Sequence, residues 1–429
     1  MIAPAPLFSD TSFALALGLL LLAPLAVAGL ALINTGLGRS RSAAQSILGS
    51  LVLASTAVLV FALFGATFAD GFTGTGHAFS MAGKTWNWAG TGPIALSGFA
   101  VAPGRAQLAV LFQFLAVALA VIIPWGSGAD RWRMPAGIAA AAVMSGLVFP
   151  FVAHWSWTGG WLAGLGTNFG MGAGFLDSGG AGTVHVLGGL SALAVVWIAG
   201  PRRGKFPREG LSTAMPGHNA IYVLFGCAVA LVGWLAFNAA GALLWLNAAP
   251  TALPVVALNT WLSAVAALAA TFTITRVRFG KPDASLCANG WLAGLVTSSA
   301  CAGVVTPMEA LIAGFIAGLA TPLLVEFMEL AVALDDPSGA ITVHAVSGLW
   351  GLFAAGIFAP RPGQLAAQLV GIATLLGIVL PLVYLLFWLL NRVIPFRADA
   401  DGERIGMDLH ELGGGAYPEF VVHRDDSYR

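Results

Sequence analysis

The sequence predicts an all-α polytopic membrane protein of eleven transmembrane helices that contain an inverted five-helix repeat. Three observations carry that expectation. Of 429 residues, 58% are apolar and only 9% charged, against about 25% charged in ordinary soluble domains. A chain of this size cannot hide so much apolar surface in its own cores, and mean hydropathy of +0.87 is the opposite of a disordered composition. Finally, one Asp-to-His motif occurs twice, in segments expected to cross the bilayer in opposite senses.

The helices follow from length. Apolar runs of about 20 residues span the hydrocarbon core, and they fall at 13–33, 45–68, 107–126, 135–156, 180–199, 218–241, 253–275, 286–305, 308–333, 339–359 and 366–391. Continuous stretches such as 365–390 lack the alternation of barrel strands. Met1 to Ser12 has no basic region ahead of the first run, so that run reads as a retained helix and not a cleaved signal.

Orientation follows from the basic residues. With the N-terminus outside, sixteen of the nineteen Lys and Arg residues fall in inner loops or the tail, leaving Lys84, Arg105 and Arg361 outside. This is the positive-inside distribution, from which a cytoplasmic C-terminus is expected; the expected location is a plasma (inner) membrane. Residues 1–391 form the membrane domain. The polar segment 392–429 is too short for a catalytic domain and reads as a cytoplasmic docking or regulatory tail. Two long outer segments, 70–106 and 158–179, are rich in Gly, Ser, Thr and Trp, which suits a folded entry vestibule.

Other classes drop out. Basic and acidic residues balance at 19 each, so no basic field exists to hold nucleic acid. Cys227, Cys287 and Cys301 lack metal-ligand spacing and read as apolar packing residues.

The repeated motif is the chemical signal. Asp177-Ser-Gly-Gly-Ala-Gly-Thr-Val-His185 precedes the fifth helix, and Asp336-Pro-Ser-Gly-Ala-Ile-Thr-Val-His344 precedes the tenth. An odd number of helices separates them, the sign of an inverted repeat about an axis in the membrane plane. Eight residues of helix rise about 12 Å. Each Asp is therefore expected near a surface and each His near mid-bilayer, where the axis brings His185 and His344 together. A lone buried His is more often a satisfied structural group. Two at matched positions of a repeat argue for function, because intramembrane ionisable groups are costly and neutral imidazole both donates and accepts. A bis-His haem is the rival use.

Several segments resemble the ammonium transporter family, the Amt/Mep/Rh proteins, over nearly the whole chain. They include residues 29–40, Ala153-His-Trp-Ser-Trp-Thr-Gly-Gly-Trp-Leu, Gly233-Trp-Leu-Ala-Phe-Asn, Asn289-Gly-Trp-Leu-Ala-Gly-Leu-Val, both Asp-to-His motifs, and Gly406-Met-Asp-Leu-His-Glu-Leu-Gly. The resemblance implies an ammonium transporter and not an enzyme, with no cofactor or metal. It implies a homotrimer with a pore through each subunit and a possible PII-type signalling partner at the cytoplasmic face.

By resemblance, His185 and His344 are the pore's twin histidines, and Phe112 and Phe237 a stacked outer gate. Trp157 borders the external ammonium site, and Asp177 organises that site without touching substrate. Aromatic faces attract cations by about 0.5–2 kcal/mol, which suits Trp157 and Phe112. Asp177 equally suits a helix N-cap. Trp155, Trp161 and Trp291 are expected to serve packing or the lipid interface. The implied route recruits ammonium, deprotonates it and conducts ammonia, with the proton relayed by the histidines. The alternatives are an ammonium sensor and an Rh-type gas channel for ammonia or carbon dioxide with little net current.

Two departures stand out. Gly241 replaces a Ser common in the family, with an expected loss of about 1 kcal/mol in external capture, so a Ser there should tighten binding. Gly339 stands where many members carry Asp.

Overall fold

The computed structural model describes residues 8–70, 73 and 76–417. Tail residues 418–429, with Arg424 and Arg429 of the basic tally, lie outside the described residues, as do Met1 to Leu7 and positions 71, 72, 74 and 75 of the outer segment. Ten helical spans among the described residues are long and apolar enough to cross a membrane. In chain order with an eleventh helix they are α1 (Asp10–Leu37), α2 (Ser40–Ala69), α3 (Gly104–Ser127), α4 (Met134–Ser156), α5 (Ala181–Ala199), α6 (Ala220–Trp245), α7 (Pro250–Phe279), α8 (Ala284–Cys301), α9 (Pro307–Leu330), α10 (Ile341–Phe358) and α11 (Gln364–Val393). Helix α8 is the one that falls below the apolarity of the others. Asn289, Thr297, Ser298 and Ser299 lie on it and are buried, so protein and not lipid surrounds its polar side.

Burial separates centre from periphery. Within the apolar 18-residue stretch of each span, 83% of residues in α5 and 67% in α10 are buried, against 28% in α2 and α11. The two motif helices are therefore interior, and the outer helices turn residues such as Leu51, Leu59 and Leu385 outward.

Small residues set the spacing, as expected where apolar burial alone gives helices no reason to associate. A Cβ built on Gly233 would fall 1.9 Å from the backbone nitrogen of Ala26, and one on Gly29 would fall 2.5 Å from that of Ala230. Thus α1 and α6 meet backbone to backbone. Gly314 and Gly318 bring α9 equally close to Ser263 and Ala267 of α7.

The outer segment departs from a purely helical fold. Strands β1 (Gly76–Met81) and β2 (Lys84–Gly90) form an antiparallel hairpin. Its two turn residues, Ala82 and Gly83, both have positive φ, 53° and 70°, matching the twist of a two-residue hairpin. Trp88 packs on Trp155 and Trp86 on Trp161, with ring centroids 5.1 and 5.6 Å apart. The hairpin thus covers the C-terminal end of α4.

At the opposite end, buried charge ties the loops together. Arg202 donates to both oxygens of Asp335, at 2.8 and 2.9 Å, and to Asp130 at 3.0 Å. Arg131 donates to the Asp335 carbonyl at 2.8 Å. The tail meets this region where Glu403 accepts from Arg203 N and Arg397 donates to Ala199 O at 3.0 Å, and Arg397 also holds Glu403 with two nitrogens. Further along, Asp408 accepts from the backbone of Ala44 and Gln45, and Glu411 from Met134. The tail therefore caps the exposed N–H groups at the start of α2 and α4.

Burial pushes the Asp335 carboxyl up, but the hydrogen bonds and charges of Arg202 and Arg131 outweigh it and hold the group below its ordinary range. A depressed carboxylate stabilises above its unfolded pKa of about 4 and loses that contribution as pH falls through the folded value. Replacing Arg202 with Ala leaves Asp130 and Asp335 buried with Arg131 alone. Thermal unfolding in detergent at neutral pH should show a loss of about 3–5 kcal/mol, shrinking once the solution is acid enough to protonate Asp335.

Candidate functional site

Each Asp-to-His segment builds the same local structure. Three residues after the Asp stands a glycine with positive φ, Gly180 at 76° and Gly339 at 69°, a conformation costly for other residues. A single wide π-turn follows, Ala181–Val186 in one copy and Ile341–Val346 in the other. Such turns are uncommon and cluster at functional sites. The carboxylates close these turns. Asp177 accepts from Gly182 N at 2.9 Å and from both Thr183 N and Thr183 Oγ1 at 2.7 Å. Asp336 accepts from Ile341 N at 2.8 Å and from Ser127 Oγ at 2.7 Å. Both act as caps that satisfy the first N–H groups of a helix, Asp177 buried and Asp336 partly so.

The turns bring the histidines together. The Nδ1 atoms of His185 and His344 lie 3.3 Å apart, with ring centroids separated by 5.3 Å, and both side chains are buried. One Nδ1 must donate and the other accept, so a neutral pair holds opposite tautomers. An iron between them would need each nitrogen about 2 Å away on opposite sides, and the direct contact leaves no such gap. His185 Nε2 has no hydrogen-bond partner among the described residues.

Glycines one turn beyond make this approach possible, and they do so reciprocally. A Cβ on Gly189 would meet Ala345 N at 2.3 Å, and one on Gly348 would meet the Val186 side chain at 2.7 Å. Each glycine thus abuts the residue following the other copy's histidine. A twofold axis between the two segments generates this pattern.

Above the pair the passage is aromatic. Phe112 and Phe237 stack with centroids 4.2 Å apart and an interplanar angle of 18°. Trp157 meets Phe112 edge-on at 5.3 Å. Asp177 holds Trp157 through its backbone, whose carbonyl accepts from Trp157 Nε1 at 2.7 Å. Its carboxylate stays with the helix cap. Trp155 donates to Trp88 O, and Trp291 to Cys227 O. Those two, and Trp161 against the hairpin, pack away from the Phe112–Phe237 stack.

Two aromatic members were not anticipated. Trp245 stacks on Trp157 at 5.4 Å and 7°, and Trp234 stacks on His185 at 5.1 Å and 9°. Helix α6 runs to Trp245, past the expected end at 241. Trp234, Phe237, Gly241 and Trp245 then form one face of α6 at spacings of three, four and four. That periodicity was the available signal.

Gly241 also proves to be sterically required. A Cβ there would stand 2.0 Å from the Ser178 carbonyl oxygen, so Ser cannot be added at this position without moving the backbone. A side chain on Gly339 would fall 2.4 Å from Asn289 Nδ2, besides facing a positive φ.

A multi-pass helical bundle with a polar pair on its internal axis, reached through an aromatic stack, defines a membrane transport protein. The chain belongs to the Ammonium Transporter Family, whose profile matches residues 13–417. It is 34% identical over 416 residues to "Ammonium transporter Amt2" of Archaeoglobus fulgidus, spanning 92% of this chain and 85% of that protein. It is 31% identical over 418 residues to "Ammonium transporter 1 member 2" of Arabidopsis thaliana, covering 88% and 78%. Among solved structures, "Sensor Amt Protein" superposes with a TM-score of 0.84 at 26% identity, covering 93% of this chain and 98% of that one. Candida albicans Mep2 shares the fold, with a TM-score of 0.78 at 21% identity over 96% and 91% of the two chains.

The cap geometry yields a stability test. Asp177→Ala strands the buried N–H groups of Gly182 and Thr183. Each orphaned donor costs about 1–3 kcal/mol, so thermal unfolding in detergent should drop by about 2–5 kcal/mol. Asp177→Asn, which keeps one acceptor, should lose less.

Proposed function

We propose that this protein transports ammonium across a plasma (inner) membrane, entering from the side of the N-terminus and leaving at the face that carries the tail. The direct contact of His185 and His344 beneath the Phe112–Phe237 stack is the observation that supports this reading most. Ammonium loses its hydration shell at the mouth, where the faces of Trp157, Trp245 and Phe112 replace water by cation–π attraction. Buried Asp177 holds Trp157 in place and adds negative potential.

Carrying the intact cation past the phenylalanines into the apolar interior is expensive. Ammonium therefore gives up a proton at the gate, and ammonia crosses the dry section as a neutral hydrogen-bonding molecule. The histidine pair conducts the proton, because exchange of its two tautomers moves one hydron along the Nδ1–Nδ1 contact. Potassium has no proton to lose and is rejected at the same place. Residues 1–391 do this work, and 392–429 act as the regulatory segment. The family resemblance supports three such pores in a homotrimer and a PII-type protein at the tail-bearing mouth.

A sensor is the second reading, favoured by the structural neighbour titled "Sensor Amt Protein". Purified protein in liposomes separates the two. A transporter gives ammonium-evoked current and none with potassium, whereas a folded protein with no current is a sensor or a gas channel. Replacing His185 and His344 together with Leu should abolish the ammonium current or its discrimination against potassium. Unchanged current and selectivity in that variant would refute the proton relay.

A further inference from the structure

The mouth beside Phe112 is closed on one side by backbone, and that backbone carries an unused acceptor. The peptide between Ser178 and Gly179 is pinned at one end, where Gly179 N donates to Ser299 O at 2.7 Å. A trans peptide points its C=O opposite to its N–H, so the pin on α8 turns the Ser178 oxygen the other way, toward α6 and Phe112. The built Cβ of Gly241 lies 2.0 Å from that oxygen and 3.3 Å from Phe112 Cε2, which places the oxygen beside the edge of the gate ring. The neighbouring carbonyl of Asp177 accepts from both Trp157 Nε1 and Gly180 N. By contrast, no described residue donates a hydrogen bond to Ser178 O, and Ser178 is 5% exposed. Buried carbonyls are rarely left without a donor.

We infer that the Ser178 carbonyl is the hydrogen-bond acceptor that holds ammonium in the aromatic mouth, and that Gly241 is the residue that admits it there. The inference rests on the transport reading for its ligand. Aromatic faces attract the charge but give its N–H groups no directed acceptor, and a carbonyl supplies one. It offers only lone pairs, with no hydrogen of its own to turn toward a cation. Gly241 is then a positioning residue: any side chain at 241 displaces the carbonyl. This reverses the expected effect of a Ser at 241, which should weaken capture instead of tightening it.

The test uses the full-length protein. An experimental structure soaked with ammonium, or with thallium(I) as an electron-dense substitute, should show density about 3 Å from Ser178 O. In liposomes, Gly241→Ala and Gly241→Ser should raise the half-saturating ammonium concentration about tenfold, the worth of one hydrogen bond to a charged group, and change maximal current far less. Density in the mouth that avoids Ser178 O, no density there, or an unchanged or lower half-saturation in folded variants overturns the assignment. If the variants do not fold, the wild-type soak still decides. Density against Ser178 O in a protein that carries no current sustains the acceptor and overturns the transport reading instead.

Discussion

Two imidazoles in direct contact inside a lipid-embedded bundle are the constraint on which the remaining structure depends. An unpaired polar atom in an apolar interior costs several kcal/mol, and the Nδ1 of each ring is paired with that of the other. Contact at 3.3 Å then demands that α5 and α10 cross almost backbone to backbone. Gly189 and Gly348 permit that, because no side chain fits between either and the opposing helix. Each helix opens on a π-turn, and in each a carboxylate satisfies the N–H groups with which it starts.

The aromatic mouth is coupled to that centre by covalent adjacency. Asp177 caps the turn carrying His185 with its side chain and orients Trp157 with its carbonyl. Along α6, Trp234 stacks on His185, and Phe237 stacks on Phe112 about one turn further along. The aromatic cluster and the central pair thus share two elements. Displacing either would disturb both.

What the sequence could reveal depends on how local the cause was. Hydropathy alone located the spans, because the bilayer imposes a length on each helix. The histidine pair was legible because two copies of one motif carry their own symmetry. Polar α8 was legible as a segment but not as an interior helix, since burial of Asn289 or Ser298 depends on neighbours far along the chain. The hairpin was hidden for a similar reason: Trp86 and Trp88 find partners in Trp161 and Trp155 only after α4 has been placed. Trp245 lay beyond the expected end of α6, although its spacing from Phe237 marks the same face. The role of Gly241 was misjudged because a missing side chain reads as a loss. Only the position of Ser178 shows that backbone occupies the space.

The two ends of the repeat are anchored by different physics, which bears on where control can act. At the first copy, the motif is held by an indole and a capped turn, with no ion pair among the described residues. At the second, Asp335 and Asp336 stand side by side with divided duties. Asp335 takes the guanidinium of Arg202, while Asp336 caps the turn that carries His344. The loop before α10 is therefore pinned at two consecutive carboxylates, and the depth of His344 is set partly by a charged clasp. Arg203 N donates to Glu403, and Arg397 grips the same carboxylate while donating to Ala199 O at the end of α5. The tail thus contacts the last turn of one histidine-bearing helix and, through the adjoining Arg202 and Asp335, the segment that leads into the first turn of the other.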